Sequence, residues 1–207
     1  MLGCFCYLYR CLNTLLLLQD LQRYAPFPEG DFPEFLKLFS RLTLNKNEFF
    51  YTAGTIPKYS PFLLKGCMRQ YYVSEEGEDK TVRFIEEGAW GGQIGSMRNR
   101  IPTNLNLQAM EDCEILGITI ENADYGLNRF PEYQKYFVTK YPFDHGLMIE
   151  EATRISTDSP EVSYLRLMKE KPSLLARVPQ HFIASYLGIR PETLSRIRNK
   201  IAKKEIS

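Results

Sequence analysis

Residues 180–199 read QHFIASYLGIRPETLSRIRN, and this stretch decides the fold of the C-terminal part of the chain. Two helices that cross steeply need a small residue where they touch, and Ala184 provides it. The turn between them needs a residue that accepts positive φ, and Gly188 follows four positions later. The apolar positions that would point inward from both helices are Ile183, Leu187, Ile189, Leu194 and Ile197. The stretch therefore predicts a helix-turn-helix.

The opposite side of the second helix is polar. Spacing of i, i+3, i+4 and i+7 collects four residues on one helix face, and they are Glu192, Ser195, Arg196 and Asn199. A face of this kind fits the major groove of DNA. The alternative is an ordinary helical hairpin inside a core, which would not need the basic residues of this segment on its exposed side. These are Arg196, Arg198, Lys200, Lys203 and Lys204.

Charge is unevenly distributed along the 207 residues. Residues 165–207 contain ten Lys or Arg and three Asp or Glu, a net charge of +7. The whole chain carries only +1, so the other 164 residues carry −6. A basic C-terminal segment on an acidic body is typical of a DNA-binding module attached to a domain with another role.

The N-terminal segment and the cysteines bear on localisation. The chain has five cysteines, Cys4, Cys6, Cys11, Cys67 and Cys113. An odd number without an export signal argues against a disulfide framework and favours a reducing cytoplasm. The apolar run at residues 12–18 is shorter than the roughly 20 residues that span a bilayer. We therefore expect a cytoplasmic protein with no membrane association, in which residues 12–24 form a helix packed on the body.

The pattern changes after the breaks at Pro26 and Pro33. Residues 34–41 read as a short helix with three apolar side chains, Phe35, Leu38 and Phe39, on one side. Short β-rich runs separated by turn residues follow, at 48–51, 62–64, 68–73, 81–85, 105–109 and 114–118. Many short strands at near-regular spacing predict a small sandwich or barrel, with a hairpin tip at residues 75–80.

Helical patterns return after residue 121. Pro131 is suited to the first turn of a helix over residues 131–157, within which Pro142 should cause a kink or a break. An apolar seam on this helix would pack either on its own domain or on a second copy of the chain; it consists of Phe137, Tyr141, Met148, Ala152 and Ile155. A further helix over residues 160–171 would turn Val162, Leu165, Leu167 and Met168 inward.

The order of β-domain, long helix and helix-turn-helix resembles the Crp/Fnr transcription regulators from about Leu42 onward. The β-domain shares with them the positions Leu44-x-x-x-Glu48, Gly54, Gly66, Arg69-x-Tyr71-Tyr72 and Phe84-x-x-x-Gly88. The segment 179–196 is the most specific part, and it resembles the branch common in Bacteroidetes-type bacteria.

The resemblance implies an α+β fold in three parts. Residues 1–130 would hold N-terminal helices and a cyclic-nucleotide-binding-like β-roll, a double-stranded β-helix of jelly-roll type. Residues 131–157 would form the connecting and dimerisation helix, and residues 158–207 a winged-helix-like helix-turn-helix. The sequence ends eleven residues past Arg196, so the wing is expected to be missing or truncated.

In the family, the residues matching Glu192, Ser195 and Arg196 contact DNA. An arginine can bond the O6/N7 edge of guanine, and a glutamate can accept from a cytosine amino group. The resemblance and the spacing leave phosphate or supporting roles for Thr193, Arg198, Lys200 and His181. Arg190 takes the N-cap position, where it is either a phosphate contact or a solvated side chain.

The effector site departs from the family pattern. Cyclic-nucleotide binders of this fold hold the ribose and cyclic phosphate with a Gly-Glu-x-(Ala/Gly) turn and a nearby arginine. The corresponding turn here is Gly91, Gly92, Gln93, Ile94, Gly95 and Ser96, followed by Thr103 and Asn104. Gln93 replaces the glutamate, and no arginine stands at the positions of Thr103 and Asn104. The strong charge-assisted contact between an arginine and the cyclic phosphate is therefore lost. We expect that the domain does not bind cyclic AMP, and the effector is left unidentified.

The sequence contains little that would indicate an enzyme or a metal site. Only two histidines, His145 and His181, are present, far apart in sequence, and no phosphate-binding Gly-rich loop occurs. An iron–sulfur cluster held by Cys4, Cys6 and Cys11, with Cys67 or Cys113 as the fourth ligand, would need a spacing that the chain does not have. We therefore expect no enzyme activity, no metal site and no cluster.

The expected partners are double-stranded DNA at a pseudo-palindromic operator and a second copy of the chain. RNA polymerase is a further candidate partner. The alternative function is a sensor or scaffold of the same fold that binds another protein and has lost DNA binding. The missing wing is its only support, and Glu192, Ser195 and Arg196 count against it.

Overall fold

The computed structural model describes the backbone of residues 2–205 and the side chains of residues 13–203. The chain divides into two compact units. The first consists of Met1–Gln70 and Phe84–Phe143, and the second of Tyr71–Arg83 and Asp144–Ser207. The second unit thus combines a short segment of the β-domain with the helices that follow residue 143.

The helices and strands alternate in blocks along the chain. The described residues form seven strands: β1 (Phe39–Leu44), β2 (Phe49–Tyr51), β3 (Ser60–Lys65), β4 (Met68–Val73), β5 (Asp79–Ile85), β6 (Asn106–Ala109) and β7 (Cys113–Ile118). The helices of the same part of the chain are α1 (Leu2–Tyr24), α2 (Phe32–Leu36), α3 (Ile94–Asn99), α4 (Ile120–Arg129), α5 (Pro131–Thr157), α6 (Pro160–Glu170), α7 (Pro172–Arg177), α8 (Gln180–Tyr186) and α9 (Pro191–Glu205). None of these helices is both long and apolar enough to cross a membrane.

Two sheets form the β-domain. In the three-stranded sheet, β7 pairs antiparallel with β1 and with β3, so that Ile118 lies opposite Phe39 on one side and Ser60 on the other. The four-stranded sheet has the order β2-β6-β4-β5. Side chains from both sheets meet in one apolar core that contains the fully buried Leu63 and Leu107. This arrangement confirms the predicted α+β fold with a jelly-roll-like β-domain.

A second apolar core joins α1 and α2 to the start of α5. Leu17 and Leu21, one turn apart on α1, are both fully buried. Phe35 of α2 is also buried, and its ring meets the ring of Tyr133 on α5 edge-on at 4.8 Å. Burying one such side chain contributes about 1.5–3 kcal/mol. The predicted packing of the N-terminal helix on the body is confirmed for the side chains described, those from residue 13 onward.

A buried polar cluster lies beside this core. The Tyr136 hydroxyl donates a short hydrogen bond to the Asp20 carboxylate, and the Trp90 indole donates to the Tyr136 oxygen at 2.7 Å. The Lys140 ammonium lies 3.4 Å from Asp20 Oδ1. Burial, and secondly the Asp20 charge, raises the pKa of Tyr136 well above its ordinary value. The cluster therefore holds α1 against α5 with Tyr136 as a neutral donor.

One predicted pair of helix bounds was wrong and another was confirmed. The helix expected over residues 34–41 ends at Leu36, and Phe39 begins strand β1. The helix predicted over residues 131–157 is confirmed as α5 (Pro131–Thr157), and of the two outcomes predicted for Pro142, a kink or a break, the break does not occur. Pro142 removes the hydrogen bond to the Val138 carbonyl. Both residues are exposed, so water can satisfy that carbonyl and the helix can continue.

The surfaces of α5 and α6 differ from the predicted pattern. On α5 the buried positions are Tyr133, Tyr136 and Lys140, and the large apolar side chains that remain exposed are Val138, Tyr141, Phe143, Leu147, Met148 and Ile149. Of the predicted seam, Phe137 and Ile155 are half-buried, and Tyr141, Met148 and Ala152 are exposed. On α6 the buried residues are Ser163, Tyr164 and Leu167, whereas Val162 and Leu165 are exposed. The inward phase predicted for α6 was therefore wrong at Val162 and Leu165.

Candidate nucleic-acid interface and effector turn

The turn between α8 and α9 has the predicted geometry. Gly188 adopts a φ of +66°, a region that L side chains rarely enter. The amide of Ile189 bonds the Ala184 carbonyl at 3.0 Å, and the amide of Gly188 bonds the Ser185 carbonyl at 3.1 Å. These bonds close the end of α8 and redirect the chain into α9.

The two helices share a compact core. Ala184 is fully buried at the crossing, where a larger side chain would push the helices apart. Four of the five predicted inward positions are buried, and they are Ile183, Leu187, Leu194 and Ile197. Ile189 is half-buried, and Tyr186 and Ile201 add buried surface that was not predicted.

The outer face of α9 is open to solvent. The four residues predicted to share this face are all exposed, and they are Glu192, Ser195, Arg196 and Asn199. Glu192 lies in the first turn, where the partial positive charge of the helix start favours a carboxylate. The face therefore offers a carboxylate, a hydroxyl, a guanidinium and an amide, the groups that can bond the edges of bases.

The guanidinium of Arg196 lies over the first turn of its own helix. Its Nε is 3.5 Å from the Glu192 carbonyl oxygen, and one terminal nitrogen is 3.5 Å from the Thr193 hydroxyl. Both contacts are long and weak. Arg196 makes no salt bridge to any described residue, so its charge is available to a ligand.

The residues predicted for supporting contacts have different environments. His181 and Arg190 are exposed, and Arg198 is half-buried. Arg190 directly precedes α9, and its carbonyl accepts from the amides of Thr193 and Leu194. Lys200 is held by α6, since its ammonium lies 2.5 Å from Glu161 Oε2. Any contact of Lys200 with a phosphate would have to compete with this pair.

Two hydroxyl groups of α8 tie the helix to the rest of the second unit. The Tyr186 hydroxyl donates to Glu151 Oε1 on α5 at 2.9 Å, and burial, then the Glu151 charge, raises the pKa of Tyr186. The neighbouring Ser185 donates to the Asp79 carbonyl and accepts from the Thr81 amide. No local sequence pattern predicts the Ser185 contacts, because they join residues more than 100 positions apart.

The predicted effector turn is packed against strand β3. The Gly91 amide bonds the Pro61 carbonyl at 2.8 Å, and the Ser60 hydroxyl donates to the Gly91 carbonyl. A Cβ on Gly91 would lie 2.7 Å from the end of the Ile85 side chain, which would have to shift to admit it. Gln93 precedes α3, which begins with Ile94, and Gly95 is exposed while Gly92 and Ser96 are half-buried.

Thr103 and Asn104 do not supply a cation to this turn. Thr103 is buried, and its hydroxyl accepts from the Leu105 amide at 3.1 Å. Asn104 is exposed. Of the two nearby arginines, Arg98 is held by both carboxylate oxygens of Asp124, at 2.6 and 3.2 Å. The guanidinium of Arg98 is thereby directed to α4.

Arg100 lies at a separate surface cavity of about 330 Å³. The cavity is lined by Ile56, Pro57, Lys58, Met97, Arg100, Thr119, Ile120 and Glu121. None of the eight residues predicted for the effector site lies among them. The pKa of Glu121 is lowered by its own backbone N–H, by the Thr119 hydroxyl and by the charge of Arg100.

The cysteines of the disfavoured iron–sulfur alternative lie partly outside the described side chains. The side chains of Cys4, Cys6 and Cys11 belong to the residues whose placement is not described. Cys67 and Cys113 are buried, and the Cys113 thiol donates to the Cys67 carbonyl. Among residues 13–203, no three His, Cys, Asp or Glu side chains are grouped as metal ligands would be.

Comparison with known proteins places these features in a family context. Residues 41–124 match the family model described as cyclic nucleotide-binding domain. Among solved structures, the chain is similar to the c-di-GMP responsive global regulator CLP of Xanthomonas campestris, with 14% identity, a TM-score of 0.69, and coverage of 86% of this chain and 93% of that one. A CooA mutant from Carboxydothermus hydrogenoformans is 23% identical, with a TM-score of 0.61 over 83% of this chain and 79% of that one.

The catabolite activator protein of Thermus thermophilus is also similar, with 18% identity and a TM-score of 0.54 over 86% of this chain and 85% of that one. No curated protein matches the chain. At identities this low, the similarity establishes the fold alone. The ligands of those proteins are not inferred for this chain. The chain thus contains a region that matches the cyclic nucleotide-binding domain family and has, over most of its length, the fold of the Crp/Fnr-type regulators that its sequence resembles.

Proposed function

We propose that this chain is a sequence-specific DNA-binding transcription regulator that acts as a homodimer in the cytoplasm. The observation that carries the proposal is the exposed polar face of α9 on a buried helix-turn-helix core. A helix of an ordinary core would be covered on that side. The net charge of +7 on residues 165–207 supports a polyanionic partner.

Base reading is assigned to the exposed face. Arg196 would bond a guanine edge and Glu192 a cytosine amino group, with Ser195 and Asn199 beside them. Phosphate contacts, which fix the register on the duplex, would come from residues around this face. They are His181, Arg190, Thr193, Arg198 and Lys200.

Dimerisation is assigned to α5. Exposed apolar side chains recur along it, among them Val138, Tyr141 and Met148. A helix with such a surface buries it against a second copy, as in coiled coils. Two helix-turn-helix units would then read half-sites about 34 Å apart. In this assignment residues 1–130 sense an effector or support the dimer, residues 131–157 form the dimer contact and couple the two domains, and residues 158–207 bind DNA. RNA polymerase is a further proposed partner.

Cyclic AMP is not the proposed effector. Gln93 replaces the acidic residue of the family's ribose contact, and Arg98 is engaged by Asp124. A cyclic phosphate at this turn would therefore lack the bidentate cation that makes such contacts strong. The effector, where one exists, would be of another chemical class.

The test is selection of bound sequences from a random duplex library with the purified chain, run with and without cyclic AMP. The expected result is a two-fold symmetric motif that is enriched equally in both conditions. Enrichment only with cyclic AMP would overturn the effector proposal. Absence of any motif under both conditions would overturn DNA binding by the chain without a further effector.

Arg196→Ala tests the base-reading role on the selected operator. Loss of one bidentate base contact costs about 1–3 kcal/mol, and discrimination at one base pair should relax. The matched control is Arg129→Ala, which removes an exposed arginine that pairs with Glu34 in the first unit. Unchanged discrimination in Arg196→Ala would exclude Arg196 as a base reader.

A further inference from the structure

The Ser185 hydroxyl on α8 bridges two backbone groups of strand β5. It donates to the Asp79 carbonyl at 2.7 Å and accepts from the Thr81 amide at 2.9 Å. A serine hydroxyl has one donor, and here that donor and an acceptor position are both used. The contact is therefore specific to a hydroxyl side chain at this position of α8.

The bridged strand is the edge of its sheet. In the order β2-β6-β4-β5, strand β5 has no strand beyond it, so its outward amides and carbonyls need other partners. Ser185 supplies one hydrogen-bond donor, to the Asp79 carbonyl, and one acceptor, to the Thr81 amide. This segment belongs to the same compact unit as the helix-turn-helix, together with α5 from Asp144 onward.

Two neighbouring contacts support the same attachment. Arg83, also on β5, donates to the sulfur of Met148 on α5. Tyr186, next to Ser185, donates to Glu151 on α5. Side-chain hydrogen bonds thus connect each pair among three segments: the hairpin formed by β4 and β5, the second half of α5, and helix α8.

The attachment leaves the DNA-reading surface open. Glu192, Ser195 and Arg196 are exposed while Ser185 is bonded to the hairpin. The bonds therefore do not block the recognition helix. Their effect is on where the helix-turn-helix is held.

We propose that Ser185 is a positioning residue that fixes the helix-turn-helix on the β4–β5 hairpin and so sets the half-site spacing that the dimer accepts. This inference rests on the proposed function. Without the two bonds, the helix-turn-helix would lose its direct attachment to the β4–β5 hairpin and would sample more orientations relative to it. A single half-site would be bound as before, whereas a pair of half-sites at one fixed spacing would be bound less selectively.

The size of the effect follows from the two hydrogen bonds. Bonds of this kind shift an equilibrium by about fivefold for one and thirtyfold for both. Each base pair inserted between half-sites displaces the second by about 3.4 Å. The wild-type chain should therefore discriminate against operators with one or two inserted base pairs, and Ser185→Ala should lose about five- to thirtyfold of that discrimination.

The first measurement is hydrogen exchange at the Thr81 amide in the full chain without DNA. Exchange should be about five- to thirtyfold faster in Ser185→Ala and should return toward the wild-type rate in Ser185→Thr, which keeps the hydroxyl. Ser163→Ala is the matched control, because the buried Ser163 hydroxyl has no hydrogen-bond partner among the residues whose side chains are described. The exchange rate of Thr81 in this control should not change.

The second measurement is the affinity of each variant for a single half-site and for operators of different spacing. Reduced spacing discrimination in Ser185→Ala, with unchanged half-site affinity and recovery in Ser185→Thr, would support the inference. An equal loss on all duplexes, or unchanged discrimination despite faster Thr81 exchange, would overturn it. If the wild-type chain binds no duplex, the proposed function fails and this inference with it, while faster Thr81 exchange in Ser185→Ala would still establish the bond.

Discussion

Replacing Glu161 with glutamine should strengthen DNA binding. The Lys200 ammonium lies 2.5 Å from Glu161 Oε2, and the side chains of the two residues are 56% and 29% exposed. Lys200 is one of the residues proposed to contact a phosphate. In the free chain it must leave Glu161 before it can do so, and Glu161→Gln removes that competition.

The magnitude follows from the pair. Partly exposed ion pairs are worth about 0.2–1 kcal/mol, so the affinity for DNA should rise by roughly 1.4- to fivefold per protomer. Folding stability should fall by no more than the same amount. Fluorescence anisotropy of a labelled operator, measured across salt concentrations, gives the affinity and its salt dependence. In wild type, each phosphate contact adds about −0.9 to the slope of log affinity against log salt.

Two comparisons separate this mechanism from a general charge effect. Glu150→Gln removes an equal charge from the exposed Glu150–Arg154 pair on α5, and it should change affinity less. In a Lys200→Ala background, Glu161→Gln should have no effect beyond that of Glu150→Gln. An equal gain with and without Lys200 would refute the reasoning.

Four further substitutions test the packing of the second unit by urea denaturation. Tyr186→Phe removes the hydrogen bond to Glu151 and should lower the free energy of unfolding by about 1–2 kcal/mol, and no loss would contradict a bond of that strength. Leu174→Ala empties a fully buried site and should cost about 2–5 kcal/mol, whereas Leu165→Ala, at a side chain 44% exposed, should cost less than about 1 kcal/mol; equal losses would contradict the burial. Gly188→Ala should cost about 1–2 kcal/mol from backbone strain alone, because no atom lies within 4 Å of the added Cβ; a neutral result would mean that the turn relaxes.

The helix-turn-helix was predictable because its signals are local. The burial of Ala184 and Leu194 and the positive φ of Gly188 follow from spacing within twenty residues. The exposed side of α9 follows from the same helical period. The strands β2 to β7 were predictable for a similar reason, since each is a short β-rich run between turn residues.

Strand β1 was missed because the same local pattern fits two structures. Phe35, Leu38 and Phe39 have helical spacing, but Phe39 pairs with Ile118 in the sheet. That partner lies 79 positions away, so a local periodicity cannot report it. Tertiary pairing decides such segments.

The interior of α6 differs from the prediction because apolar content alone does not determine which side chains are buried. Val162 and Leu165 are exposed, while the hydroxyl-bearing Ser163 and Tyr164 are buried. Small and aromatic polar residues pack well when a neighbouring helix approaches closely. The contacts of Ser185 with Asp79 and Thr81 escaped prediction for the reason given for β1, because they depend on a fold that brings distant segments together.

Trp90 gives the molecule a built-in optical reporter, because it is the single tryptophan of the chain. Its indole donates to Tyr136 of α5 and lies 3.3 Å from the Asp20 carboxylate of α1. Its fluorescence therefore arises from one known place, where α1, which precedes the β-domain, meets α5, which follows it. Changes in emission intensity or wavelength would reveal separation of α1 from α5 without any label.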